Sequence, residues 1–208
     1  PETYVNLDVW GLAGTTKTLG GDVIVSGAFT TNTDVTTAIG TVELTVTGAT
    51  TIPGTITMTT ATLDADGTFD ATGGTIDIND AGELQLAATT PLLGTNLSTD
   101  FGTVTYDGTA QTIFADTYYD LTAGNANTKT LGGNLVVARD LTIDAGVTLN
   151  LSSSDYSINV ARHFATSVTF TMQEGLVTFD VNDDQIFTPG SSSYSNIILN
   201  NPAGPDKL

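Results

Sequence analysis

Apolar and polar residues alternate with a period of two along most of this chain. Val42-Glu43-Leu44-Thr45-Val46, Thr75-Ile76-Asp77-Ile78, Glu83-Leu84-Gln85-Leu86, Val104-Thr105-Tyr106, Val168-Thr169-Phe170-Thr171-Met172 and Val177-Thr178-Phe179-Asp180-Val181 all follow it. Such alternation sends successive side chains to opposite faces of a strand, so each run predicts a β-strand with one buried face. Turn-forming pairs separate the runs: Asp66-Gly67, Gly73-Gly74, Ala81-Gly82, Asp107-Gly108, Ala145-Gly146 and Pro189-Gly190. Helical periodicity is missing, and the nearest candidate for an irregular piece is 155–166. Short strands punctuated by turns from end to end predict an all-β fold.

The pattern also repeats at longer range. Thr-Lys-Thr-Leu-Gly-Gly occurs at Thr16 to Gly21 and again at Thr128 to Gly133, each time followed by an aliphatic run, Val23-Ile24-Val25 or Leu135-Val136-Val137. A Tyr-led strand precedes each copy, at Tyr4 and Tyr118, and a third stands at Tyr194. Val104-Thr105-Tyr106-Asp107 leads to Gln111 and Ile113-Phe114, and Val177-Thr178-Phe179-Asp180 leads to Gln185-Ile186-Phe187. The Tyr-led strands are unequally spaced, which predicts that whole coils have been inserted or lost between copies, as solenoids tolerate. Tyr194 stands as far before Lys207 as Tyr4 stands before Lys17. The chain is therefore expected to be a window on a longer array, or a subunit whose ends join head to tail.

These strings, above all Thr103 to Ile113, Tyr118 to Leu121 and Thr130 to Ile143, resemble the repeats of very large secreted bacterial surface proteins. Those repeats are similar to parallel β-helices of the adhesin and autotransporter-passenger type. The resemblance covers residues 100 to 200 and the first 30. Over 31 to 100 it is one of strand-and-turn style alone. It implies an architecture and an extracellular, cell-surface habitat, and no activity.

The expectation is a single parallel β-helix over residues 1–208, one continuous solenoid segment, with a β-sandwich as the alternative. Coils of about 20 residues would stack on the order of 10 high, and parallel strands about 4.8 Å apart would make a shaft roughly 50 Å long.

Composition agrees. The chain has 208 residues with 41 Thr and 22 Gly, and 39% of it is apolar, enough for a continuous core of pleated strands and tight corners. It has no Cys, which removes disulfide frameworks, Cys-ligated zinc and thiol nucleophiles. Five Lys and Arg face 23 Asp and Glu, for a net charge of −18. Such a surface repels nucleic acid and anionic membrane, and neither is expected as a partner. No signal peptide, transmembrane run or basic amphipathic helix is read from the sequence.

Candidate chemistry is sparse. Asn32-Thr33-Asp34 and Asp183-Asp184 look superficially like the acidic motifs of polygalacturonase-like hydrolases, whose paired carboxylates act as acid and base. Many coils separate them, the expected Gly-His-Gly is missing, and the single His163 sits between Arg162 and Phe164. A lyase would need more than the two Arg present. The expectation is no catalysis. Asp64, Asp66 and Asp70, and Asp183 and Asp184, crowd carboxylates at turns and are the candidate ligands for calcium, the one cofactor considered. Solvated turn residues are the plainer reading. Thr-x-Thr pairs such as Thr16/Thr18, Thr55/Thr57 and Thr128/Thr130 raise ice binding, but their spacing looks irregular and Glu43 interrupts. Trp10, Tyr4, Tyr118, Tyr119 and Tyr194 raise a sugar-binding strip, against plain stacking between coils.

The sequence thus points to a non-enzymatic extracellular shaft or filament subunit, with copies of itself or flanking repeats end to end as partners. A carbohydrate- or surface-binding adhesin segment is the alternative, with ice binding behind it.

Overall fold

A computed structural model of the chain describes residues 1–98, 100–166, 169–171, 174–180, 186–188 and 194–200. Every described element is a β-strand, and the strands pair in parallel. Parallel pairing through stacked coils is a β-solenoid. It excludes the β-sandwich, whose sheets are antiparallel. The chain divides into two compact units, 1–108 and 109–208.

In the first unit the chain winds through three sheets in turn. The first sheet holds Glu2–Tyr4, Val23–Val25, Glu43–Val46, Thr62–Ala65, Glu83–Leu86 and Thr103–Tyr106. The second holds Leu7–Val9, Phe29–Thr31, Thr50–Thr51 and Phe69–Asp70. The third holds Thr15–Thr18, Val35–Gly40, Thr55–Met58, Thr75–Ile78 and Leu97–Ser98. Val23 pairs with Leu44, Leu44 with Leu63, Leu63 with Leu84, and Leu84 with Val104, so one coil takes 19 to 21 residues. This matches the expected length. The middle stretch, 31 to 100, whose resemblance is weakest, coils as regularly as the rest.

Alternation becomes columns. On the first sheet Val23-Leu44-Leu63-Leu84-Val104 and Val25-Val46-Ala65-Leu86-Tyr106 stack inward, all buried. Each apolar residue is sealed by its equivalents above and below, so burial depends on neighbouring coils rather than on sequence neighbours. After this sheet Gly27, Gly48 and Gly67 stack at one corner. A Cβ on Gly48 would stand 2.2 Å from the Gly27 carbonyl oxygen, and one on Gly67 2.0 Å from that of Gly48. Glycine is required there by close backbone approach.

The second unit also uses three sheets. One contains Gln111–Ile113, Asn127–Leu131, Val147–Asn150 and Thr169–Thr171. The next contains Thr117–Tyr118, Leu135–Val137, Ser157–Val160, Leu176–Asp180 and Asn196–Asn200, and the last contains Asp120–Ala123, Asp140–Ile143, His163–Thr166 and Phe187–Thr188. Coils here take 18 residues (Gln111 to Lys129) to 23 (Leu141 to Phe164). Phe164 and Phe179 meet edge to face in the core, ring centroids 6.1 Å apart. The suspected irregular piece at 155–166 is a turn followed by two ordinary strands, Ser157–Val160 and His163–Thr166. Ile158 and Val160 are buried and pair with Leu135 and Val137, so the parallel ladder decides the conformation there.

The two Thr-Lys-Thr-Leu-Gly-Gly copies occupy like positions, each within its own unit. Tyr4 pairs with Val25 one coil on, and Tyr118 with Val137. Both Gly-Gly pairs follow the strand at the corner. Leu131 is buried; Leu19 lies in line with the buried Ile39 side of its sheet but stays half-exposed, because its coil is paired on one side only.

Candidate functional site

Three surfaces carry polar side chains in register. The outward side of the first sheet in unit one bears Glu43, Thr62, Glu83 and Thr103 in one column, and Thr45, Asp64, Gln85 and Thr105 in the next. Thr105 donates to Glu83 at 2.8 Å and Thr45 to Glu43 at 3.3 Å. Asp64 stands amid this acid. Its pKa is raised from 3.8 to about 6 by burial, then by the like charges of Asp66, Asp107, Glu43 and Glu83.

The candidate calcium ligands do not gather at one turn. Asp64 projects from the first sheet, Asp66 sits at the corner beyond it, and Asp70 lies on the second sheet. The Thr72 side chain, and then its backbone N–H at 2.8 Å, hydrogen-bond to Asp70 and hold its pKa below the ordinary value. Asp183 and Asp184 lie outside the described residues. Among the described residues no three His, Asp or Glu side chains converge closely enough to hold a metal ion.

Asp64 therefore makes a pH prediction. Its folded pKa exceeds its unfolded one, so the folded state keeps a proton that the unfolded chain loses between about pH 4 and 6. Its charge destabilises above pH 6, and stability rises as the pH falls from 7 to 5. The gain is about 1 kcal/mol once screening at this partly exposed site is allowed for. Thermal melts at the two pH values should show a smaller difference in Asp64→Asn; an unchanged difference would assign the effect elsewhere. At pH 7, sodium chloride should raise the melting temperature by screening charges that lie within a Debye length of about 8 Å. Calcium at matched ionic strength should raise it further only if the Asp64/Asp66 or the Asp183/Asp184 carboxylates bind it.

A second surface is an ion-pair ladder in unit two. Arg139 clasps Asp120 with two nitrogens, one at 2.7 Å, stacks on the Tyr119 ring at 4.9 Å, and approaches Asp140 at 3.4 Å. Arg162 meets Asp140 from the next coil at 3.4 Å. His163 gives its backbone N–H to Asp140, and its Nδ1 accepts the Ile186 N–H at 3.2 Å. This arrangement staples successive coils. Composition foreshadowed the scarce cations, but no sequence signal stacked Arg139 over Asp120.

The third surface is the outward side of the third sheet in unit one. Thr16, Thr36, Thr55 and Thr75 stack in one column, with Thr18, Ala38, Thr57 and Asp77 beside them. Unit two has a counterpart in Thr112-Thr130-Asn150 and Thr128-Thr148. A single threonine thus recurs at one position in successive coils, while the full Thr-x-Thr pairs Thr16/Thr18 and Thr55/Thr57 fall in alternate coils, with Ala38 and Asp77 taking the second place in the others. Glu43 belongs to a different sheet. Of the aromatic strip, Trp10 is 70% exposed and Tyr4 is partly exposed, while Tyr118 is buried and donates to the Phe114 carbonyl at 2.7 Å.

Comparison with protein-family models, with curated proteins and with solved structures finds no match to this chain.

Proposed function

We propose that this chain is a structural, non-enzymatic segment of an extracellular surface protein, a shaft or filament subunit that continues or assembles end to end. The observation that carries this reading is the pair of inward columns ending in Val104 and Tyr106, unbroken through unit one. A coil of this kind has no core of its own and is stable only against another coil, so the natural product of the sequence is length. Parallel backbone ladders protect that length against proteolysis. The partners are flanking repeats or copies of the chain; a net charge of −18 disfavours nucleic acid and anionic membrane.

The stacked threonines favour a second reading, an adhesin face that binds a carbohydrate or other flat surface, or ice. The shaft reading expects filaments or rods by electron microscopy, no hit on a glycan array and no inhibition of ice recrystallisation. A glycan hit abolished by Thr55→Lys would transfer the function to the threonine face, and ice inhibition lost in the same variant would transfer it to ice.

A further inference from the structure

We propose that the imidazole of His163 is an acid-sensitive latch between two successive coils of unit two, closed while it is neutral and opened by a proton.

The latch is one of a set. At corners and strand starts of the solenoid, a side chain accepts the backbone N–H of a residue one coil further on. Asn6 Oδ1 takes the Ala28 N–H at 2.8 Å, Asp22 Oδ1 that of Glu43 at 3.1 Å, and Asn134 Oδ1 that of Ser157 at 3.0 Å. The last sheet of unit two carries three such contacts in one column. Asp120 Oδ1 accepts the Asp140 N–H at 3.1 Å, Asp140 Oδ1 accepts the His163 N–H at 3.3 Å, and His163 Nδ1 accepts the Ile186 N–H at 3.2 Å. Ile186 leads into Phe187–Thr188, which pairs with His163–Thr166, so the third contact holds the entry to that strand.

The third acceptor differs in chemistry. The Nδ1 of an imidazole lies as many bonds from Cβ as the Oδ1 of Asp or Asn, so it reaches the same N–H. Asp and Asn remain acceptors throughout the range of about pH 5 to 8 in which imidazoles titrate, whereas an imidazole accepts only while neutral, with its proton on Nε2. Once protonated, Nδ1 is a donor facing the Ile186 N–H, and two donors cannot bond. The sign follows. The contact exists only in the neutral form, so its contribution is present at neutral pH and lost as the pH falls through that range. His163 is the only His in the chain, so no other of these contacts can open in this way.

The charges around His163 do not replace what the proton removes. From the coil before, Asp140 approaches it, with Arg139 and Arg162 each 3.4 Å from the Asp140 carboxylate. Asp120 lies one coil further away, in the grip of Arg139. The coil after presents Ile186, Phe187 and Thr188, and Asp183 and Asp184 lie outside the described residues. Asp140 attracts an imidazolium and Arg162 repels it, but neither restores an acceptor to the Ile186 N–H.

Hydrogen exchange of the Ile186 amide in the 208-residue chain, corrected for the intrinsic pH dependence of exchange, tests this alongside the imidazole ¹⁵N shifts. A local measurement is needed because Asp64 moves global stability in the opposite direction over the same range. As His163 takes up its proton between about pH 7.5 and 5.5, Ile186 protection should fall roughly fivefold, the loss of one hydrogen bond. Protection of the Asp140 and Ser157 amides, held by Asp120 and Asn134, should not follow it. His163→Asn keeps an acceptor at the same reach and takes no proton, so Ile186 should stay protected across the range. His163→Leu should leave Ile186 as poorly protected at the neutral end as the parent chain is at the acid end. Protection that survives protonation of His163 overturns the latch, and so does an equal fall in His163→Asn. An imidazole that stays neutral down to about pH 5.5 overturns the switch.

Discussion

Gly48→Ala is expected to destabilise the first unit by about 3 kcal/mol, a large loss for adding one methyl group. The new Cβ would lie 2.2 Å from the Gly27 carbonyl oxygen and 2.5 Å from its carbon. Both are backbone atoms of the coil below, so no side chain can swing aside. The coils must part at that corner, and the hydrogen bonds from Thr47 to Val25 and from Asp66 to Val46 lengthen with them. Gly20→Ala is the control, because a Cβ there meets nothing within 4 Å. Surface changes of that kind stay within about 0.5 kcal/mol. Denaturant midpoints that fall equally for the two variants would show that corner stacking does not limit stability.

The fold was legible because burial in a solenoid follows alternation directly. Val42 to Val46 and Glu83 to Leu86 read as half-buried strands, and Glu43–Val46 and Glu83–Leu86 are half-buried strands. The coil length was legible too. Which sheet each strand joins was not, because a repeat can rotate around the coil. In unit two Gln111–Ile113 lies on one sheet, while the Phe187–Thr188 that follows the second copy of its motif lies on another. Tyr194 is accordingly not the residue that stacks over Tyr118: register runs Tyr118-Val137-Val160-Phe179-Leu199. The same uncertainty hid the threonine columns. Thr36, Thr55 and Thr75 are unevenly spaced in sequence, yet register stacks them, because a corner absorbs a residue more or less. It also made Asp64, Asp66 and Asp70 look like one cluster, when a corner turns Asp70 onto the next sheet.

Lys129 is the residue on which the sequence was most silent: it stands in the repeated Thr-Lys-Thr-Leu-Gly-Gly, nothing in that motif marks its Lys as buried, and it carries the second large effect. Gln111→Leu should lower the stability of unit two by about 3 kcal/mol, because it removes an acceptor 2.7 Å from a buried ammonium while the charge remains. Lys129→Met should cost less, since a thioether of similar length fills the space without desolvating a charge. The two changes are coupled, and the double variant should be more stable than Gln111→Leu alone. Equilibrium denaturation of the four proteins closes the cycle. Additive losses would mean that Gln111 and Lys129 act independently, and that packing rather than the ammonium–amide contact holds this coil. Recovery in the double variant would identify the buried cation as a specificity device. It fixes which strand covers Asn127–Leu131, at a cost in stability that an all-apolar column would avoid, much as a buried polar residue fixes register in other repeats.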